Sequence, residues 1–291
     1  MIKLPGSYKI SNEAYHQDPC AKPSLSRDVI KNLLFKSPAH AHHDHPRLNP
    51  DFEPEEEETK FDIGSASHPL LLEGNDIIEV IDAPDWRTKV AKEARAEARL
   101  KGKVPLLPPQ YASVNSMVSV ARIALTMSEL QIANLQEEGD SELSYFWQEG
   151  GAWLKVRPDW ISTDRQIILD YKTTTSANPN EFVRKVISMG YDIQEALYCR
   201  GVKAVEGITS KFIFMVQEIE PPYLCSFIAL SPEFQDMGRK KVNQGIALWN
   251  QCMATGAWPG YPSRVMYLDM PAWAAMWINN ATFIGNEEDE I

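Results

Sequence analysis

RPDWISTDRQIILDYK, residues 157–172, consists of two β-prone runs separated by turn-forming residues. With Asp164-Arg165 as a two-residue turn, the strands pair so that Asp159 lies directly opposite Asp170. Directly opposed side chains share a face with Cβ atoms about 4.5 to 5.5 Å apart, and like charges placed there destabilise the pair. Something must neutralise them. Side chains alternate along a strand, so Lys172 shares the face of Asp170 while Ile167, Leu169 and Tyr171 point the other way. Two converging carboxylates with an ammonium one step along form an oxygen-ligand site suited to Mg²⁺ or Mn²⁺. Such a cation polarises a phosphodiester, lowers the pKa of a bound water and stabilises the leaving oxygen, and Lys172 is placed to orient or deprotonate the attacking water. The chemistry implied is phosphodiester hydrolysis. Taken alone, the hairpin is better described as a solvated surface turn in which Lys172 pairs with one aspartate, so the surrounding residues have to decide.

Outward from the hairpin, Leu143 to Gln148 and Ala152 to Ile161 are predicted strands ahead of Ile167 to Thr173. Phe182 to Val205 is a helix bent near Gly190, Lys211 to Ile219 and Tyr223 to Leu230 are two further strands, and Pro232 to Thr255 is a long helix. On the N-terminal side, Ser26 caps a short helix that ends near Ser37-Pro38. Phe61 to Leu72 is an apolar helix, and Tyr111 to Leu135 is another, after a break at Pro105 to Pro109. This order predicts an α/β fold, a central mixed β-sheet flanked by helices with N-terminal helical additions. The expected division is an N-terminal helical and loop segment over 1–60, a core over 61–260 and a C-terminal extension over 261–291.

Three further features bear on chemistry. Gly64-x-x-x-His68 places an imidazole on the helix before the sheet, and Gln194 and Tyr198 share one face of the helix after the hairpin. Each has an ordinary structural explanation when read alone. Lys92, Arg95 and Arg99 lie on one face of a predicted helix within 86–103, the best basic patch of the chain, equally a solvated surface or a DNA-facing arm. The His40, His42, His43 and His45 run has no catalytic spacing and reads as a loop.

The composition permits a nucleic-acid enzyme despite a formal net charge of −11. Nearly all of that charge sits in two acidic runs, Asp51, Glu53 and Glu55 to Glu58, and Glu287 to Glu290, which leaves a nearly neutral body. A hydrophobic content of 44% over 291 residues supports one large core. There is no run of about 18 apolar residues and no signal-peptide pattern at the N-terminus, so a soluble, cytoplasmic protein without a membrane role is expected. Cys20, Cys199, Cys225 and Cys252 form no CxxC pair and read as free thiols.

Taken in order, Gly64-x3-His68, Arg157-Pro158-Asp159, Asp170-Tyr171-Lys172 and Gln194-x3-Tyr198 resemble the PD-(D/E)xK nuclease superfamily, in the branch with GxxxH and QxxxY motifs. Tyr15-His16, Leu25-Ser26, Ser37-Pro38-Ala39-His40, the Phe61-Asp62-Ile63-Gly64 lead into His68 and Gly190-Tyr191 make the chain most similar to the RecE-type (exodeoxyribonuclease VIII-like) exonucleases of phages and prophages. The resemblance implies a restriction-endonuclease-like core, with His68, Asp159 and Asp170 as metal ligands and the Tyr171 carbonyl as a further one. It makes Lys172 the catalytic lysine, and Gln194 and Tyr198 residues that shape the site or contact DNA. Asp170 stands where Glu is commoner, and Glu142 is a candidate extra carboxylate. Widely spaced cysteines argue against the iron-sulfur cluster of other members. The activity implied is 5′ to 3′ digestion of double-stranded DNA ends, leaving 3′ overhangs for a RecT-like annealing partner, by a tetrameric ring in which repeated basic residues line a channel. An endonuclease, an exonuclease of other polarity and a non-catalytic end-binding scaffold are the alternatives.

Overall fold

The computed structural model describes residues 1–53, 63–74, 78–271 and 274. In chain order the elements are β1 (Gly6–Tyr8), α1 (Asn12–His16), β2 (Ser24–Leu25), α2 (Arg27–Phe35), α3 (Pro38–His43), α4 (Ile63–Leu72), β3 (Ile78–Val80), α5 (Lys89–Leu100), β4 (Val104–Leu106), α6 (Pro108–Met127) and α7 (Leu135–Glu138). They continue with β5 (Gly139–Ser141), β6 (Ser144–Glu149), β7 (Ala152–Val156), β8 (Trp160–Ser162), β9 (Ile167–Thr174), α8 (Pro179–Met189), α9 (Tyr191–Glu206), β10 (Lys211–Glu218), β11 (Cys225–Ile228) and α10 (Pro232–Thr255). Residues 1–259 form one compact unit, and residues from Gly260 onward form a second. No helix among the described residues is long and apolar enough to cross a membrane.

The five-stranded sheet, ordered β11-β10-β9-β8-β5, is mixed: β9 and β10 run parallel and the other neighbours antiparallel. Both its faces are covered, as alternation along its strands requires. Ile168, Phe212, Phe214 and Val216 pack with α2, α8, α9 and α10, whereas Leu169, Tyr171, Ile213 and Met215 pack with α4 and α6. A second sheet, ordered β1-β6-β7-β2, sends Tyr145, Trp147, Leu154 and Val156 into the first of these layers. Its opposite face holds Phe146 and Trp153 against Ile2, Tyr15 and Cys20 near the N-terminus. Helix α9 therefore packs against strands of both sheets.

Several local expectations change. Ala152 to Ile161 is two strands in two sheets, because Pro158 has no amide to donate and the chain steps across between Val156 and Trp160. The histidine run lies largely in α3: Ser37 accepts from the His40 amide and Pro38 occupies the first turn, a favourable helix start. The helix beginning near Pro108 stops at Met127, well before Leu135. The bend at Gly190 is a break, with that residue in the left-handed region (φ 67°) closing α8 and opening α9. Phe61-Asp62, Glu55 to Glu58 and the C-terminal acidic run lie outside the described residues.

Gly238 on α10 faces the Asp192 carbonyl on α9 so closely that any Cβ would overlap it. Gly238→Ala is expected to lower unfolding stability by about 1 to 3 kcal/mol despite the better helix propensity of alanine. Urea denaturation measures this, and unchanged stability would show that the two helices are not in close approach.

Candidate active site

The two points where the chain passes between the sheets each supply a carboxylate. Between β5 and β6, Glu142 adopts a left-handed backbone (φ 55°), and its amide donates to the Asp159 carbonyl at 3.1 Å. A left-handed conformation away from glycine is uncommon and costs roughly 1 to 3 kcal/mol, so the surrounding structure must hold it. Between β7 and β8, Asp159 turns its Oδ2 to accept from the Tyr171 amide at 2.7 Å. The β8–β9 register pairs Trp160 with Leu169 and Ile161 with Ile168, and continued by one residue beyond β8 it would set Asp159 against Asp170. The turn is wider than the expected two residues: Ser162 Oγ accepts from the Ile167 amide, and Arg165 has φ 62°.

His68 approaches from α4. Its Nε2 lies 3.6 Å from Glu142 Oε1 and 3.6 Å from Asp159 Oδ1. The helix is held from its C-terminal end, where Gln136 donates to the Leu71 and Leu72 carbonyls and Ser141 Oγ donates to that of Leu72. From the sheet side, the Tyr171 hydroxyl donates to Gln217 Oε1 at 2.5 Å and lies 3.3 Å from Ser67 Oγ. Burial pushes the His68 imidazole pKa down, but Asp159 and Glu142 outweigh that and raise it to about 9.

Asp170 is fully buried. Gln194 donates to its Oδ2 at 2.5 Å and the Lys172 ammonium lies 2.5 Å from Oδ1, yet no well-angled hydrogen bond reaches Oδ1. Burial, reinforced by Asp159, raises the Asp170 pKa to about 6 against the opposing pull of Lys172. Burial also disfavours the Lys172 ammonium, but Asp170 and Asp159 overcome it and hold the group charged. Its Nζ sits 5.4 Å from the Tyr191 ring centre. Tyr198, one turn beyond Gln194, packs edge-on against Phe212.

Among the described residues, the ligand atoms of His68, Glu142 and Asp159 lie within 4.8 Å of one another. Glu142, the candidate extra carboxylate, is one of the three, and Asp170 stands beside that set. One nitrogen and two carboxylates, with the Oδ1 of a buried aspartate nearby paired only with Lys172, are a donor set that fits a hard divalent cation. The cluster opens into a cleft of about 1360 Å³ whose walls include His68, Glu142, Arg157, Arg95 and Arg99. Lys92 is exposed and is not among the wall residues. Arg157 is a further residue of the site. Its Nε donates to Ser144 Oγ at 2.8 Å and lies 3.9 Å from Glu142 Oε2, and its Nη2 donates to the Ile10 carbonyl at 2.7 Å. Its place before Pro158-Asp159 was the signal available in the sequence.

The carboxylates around His68 set a test in metal-free protein. NMR titration of its imidazole should give a midpoint near pH 9, moving down toward 6.5 in Asp159→Asn. The corresponding stabilisation is complete below pH 6.5 and is lost as pH rises through 9. A wild-type midpoint near 6.5 would contradict the geometry.

Comparison with known proteins bears on the fold and the family. A crystal structure of a candidate exonuclease from Eubacterium rectale superposes with a TM-score of 0.60 at 14% identity, covering 95% of this chain and 99% of that one. An alkaline exonuclease from Laribacter hongkongensis matches with a TM-score of 0.28 at 14% identity, over 66% of this chain and 90% of that one. No curated protein matches. Residues 26–271 match the family described as a PDDEXK-like domain of unknown function (DUF3799), and the chain belongs to that family, within the PD-(D/E)xK nuclease superfamily.

Proposed function

We propose that the protein is a Mg²⁺-dependent exonuclease on double-stranded DNA ends, with Mn²⁺ able to substitute, digesting 5′ to 3′ and leaving 3′ single-stranded overhangs. The observation that carries this reading is the convergence of His68, Glu142 and Asp159 beside the buried Asp170–Lys172 pair at the edge of an open cleft. His68, Glu142 and Asp159 would hold the cation, with Asp170 and the Tyr171 carbonyl as further ligands. When bound, it would polarise the phosphodiester and acidify a water.

The remaining roles belong to the chain's own groups. Lys172, kept as an ammonium by Asp170 and Asp159, is suited to donate to the attacking water or to the charge that develops on phosphate. Gln194 positions Asp170 through its amide. Tyr198 shapes the wall behind it. Arg157 ties the segment around Ile10 to the carboxylate junction, and Arg95 and Arg99 offer phosphate contacts from the cleft wall, with Lys92 further out on the same helix.

The RecE-type motifs extend the reading to a phage or prophage protein of the bacterial cytoplasm, working with a RecT-like annealing protein as a tetrameric ring. In a ring, basic cleft residues repeated by symmetry offset the acidic net charge along the DNA path. The division at residues 60 and 260 belongs to the same reading, with β1 and β2 of the first segment completing the second sheet of the core.

Linear duplex labelled separately at each 5′ and 3′ end, digested with Mg²⁺, should release the 5′ label first, while closed circles survive. Chelator should stop the reaction, and Asp170→Asn or Asp159→Asn should slow it by about 10³-fold or more. Cleavage of closed circles would make the enzyme an endonuclease. Equal activity in wild type and Asp170→Asn would remove the site.

A further inference from the structure

Trp86 is placed unlike the other described tryptophans. Trp147, Trp249 and Trp258 belong to or pack on the layer around α9, Trp160 is buried in the α4–α6 layer, and Trp153 is buried against the N-terminal segment. Trp86 joins none of these clusters. It stands half-buried on the wall of the cleft that holds His68 and Glu142, where Arg95 lies over its ring at 5.0 Å from the centre.

The local structure explains this position. Thr88 caps α5 by accepting from the Ala91 amide, and Ala91 and Ala98 turn its apolar side inward. Arg95 and Arg99, one turn apart, thereby reach the cleft, with Lys103 from the following segment and Lys9 from the opposite end of the chain. Burial and the neighbouring Arg99 both disfavour the charge on Arg95. A half-buried aromatic ring that lines a cleft, has Arg95 over one side and belongs to no core cluster matches the physics of single-strand binding: a base stacks on the ring while phosphates meet the basic groups.

We propose that Trp86, backed by Arg95, is a stacking platform for a base of single-stranded DNA held in the catalytic cleft, with Arg99, Lys103 and Lys9 receiving the flanking phosphates. This rests on the nuclease reading for the identity of the ligand, but not on turnover. Stacking is indifferent to sequence, as an enzyme working along a strand requires. The platform would hold the strand being digested after it separates from its complement, close to the carboxylates.

The test is fluorescence anisotropy of labelled dodecathymidylate, and of the same oligonucleotide with abasic central positions, bound to the full chain in chelator. Trp86→Ala should weaken binding of the intact oligonucleotide about 5- to 150-fold, the range for loss of one base stack. Trp86→Phe should retain most of the affinity. On the abasic oligonucleotide, wild type and Trp86→Ala should agree within about twofold. Equal binding of the intact oligonucleotide by wild type and Trp86→Ala, an equal loss on both oligonucleotides, or no single-strand binding at all would overturn the proposal. The two readings fail separately: DNA degraded with Mg²⁺ by a protein indifferent to Trp86→Ala sinks only the platform. Trp86-dependent binding without degradation sinks only the nuclease.

Discussion

A carboxylate at Asp170, wholly removed from solvent, constrains everything packed around it. An ionised carboxylate without compensation in such a place costs several kcal/mol, so the surrounding elements must bring polar partners to it. Lys172 comes along the same strand face, and Gln194 comes from α9, which must lie close enough for a hydrogen bond. That closeness is transmitted outward. Gly238 lets α10 press on α9, and Gly201 does the same for α9 against Trp147 of the second sheet. Compensation is still incomplete, since burial and Asp159 outweigh Lys172 and raise the group's pKa to about 6. A site that favours an added positive charge is the electrostatic consequence.

The second constraint is topological. The chain crosses between its five-stranded and four-stranded sheets on either side of the β6–β7 hairpin, and at these crossings ladder pairing is interrupted and backbone groups need other partners. Asp159 fills one such need with its side chain, on the Tyr171 amide, and Glu142 fills another with its amide, on the Asp159 carbonyl. The same breaks that free these residues from the sheets bring their carboxylates together under His68. At Glu142 the site therefore holds an uncommon left-handed backbone, which the surrounding structure must support.

The sequence allowed some of this to be read and concealed the rest, for physical reasons. The opposition of Asp159 and Asp170 follows from alternation and register, and register survives even though the turn is wider than two residues. The helix carrying Gln194 was visible from its periodicity and from Gly190. Glu142 could be only a loose candidate, because nothing local signals a left-handed glutamate whose partners come from the segment between β7 and β8 and from α4. The break at Pro158 and the helix start at Ser37-Pro38 did have local signals. They were masked by β-prone neighbours in one case and by a conspicuous histidine run in the other. The charged face of α5 was legible as a face, but its turn toward the cleft depends on packing around Ala91 and Ala98 and on Trp86, which periodicity does not encode.

The central claim is that His68, Glu142 and Asp159 converge on a divalent cation beside Asp170. Crystals of the protein grown with Mn²⁺ and measured at the manganese absorption edge test it directly. The account predicts an anomalous peak coordinated by His68 Nε2 and by carboxylate oxygens of Glu142 and Asp159. A manganese peak elsewhere on the protein, or none in the cleft at millimolar Mn²⁺, would contradict it.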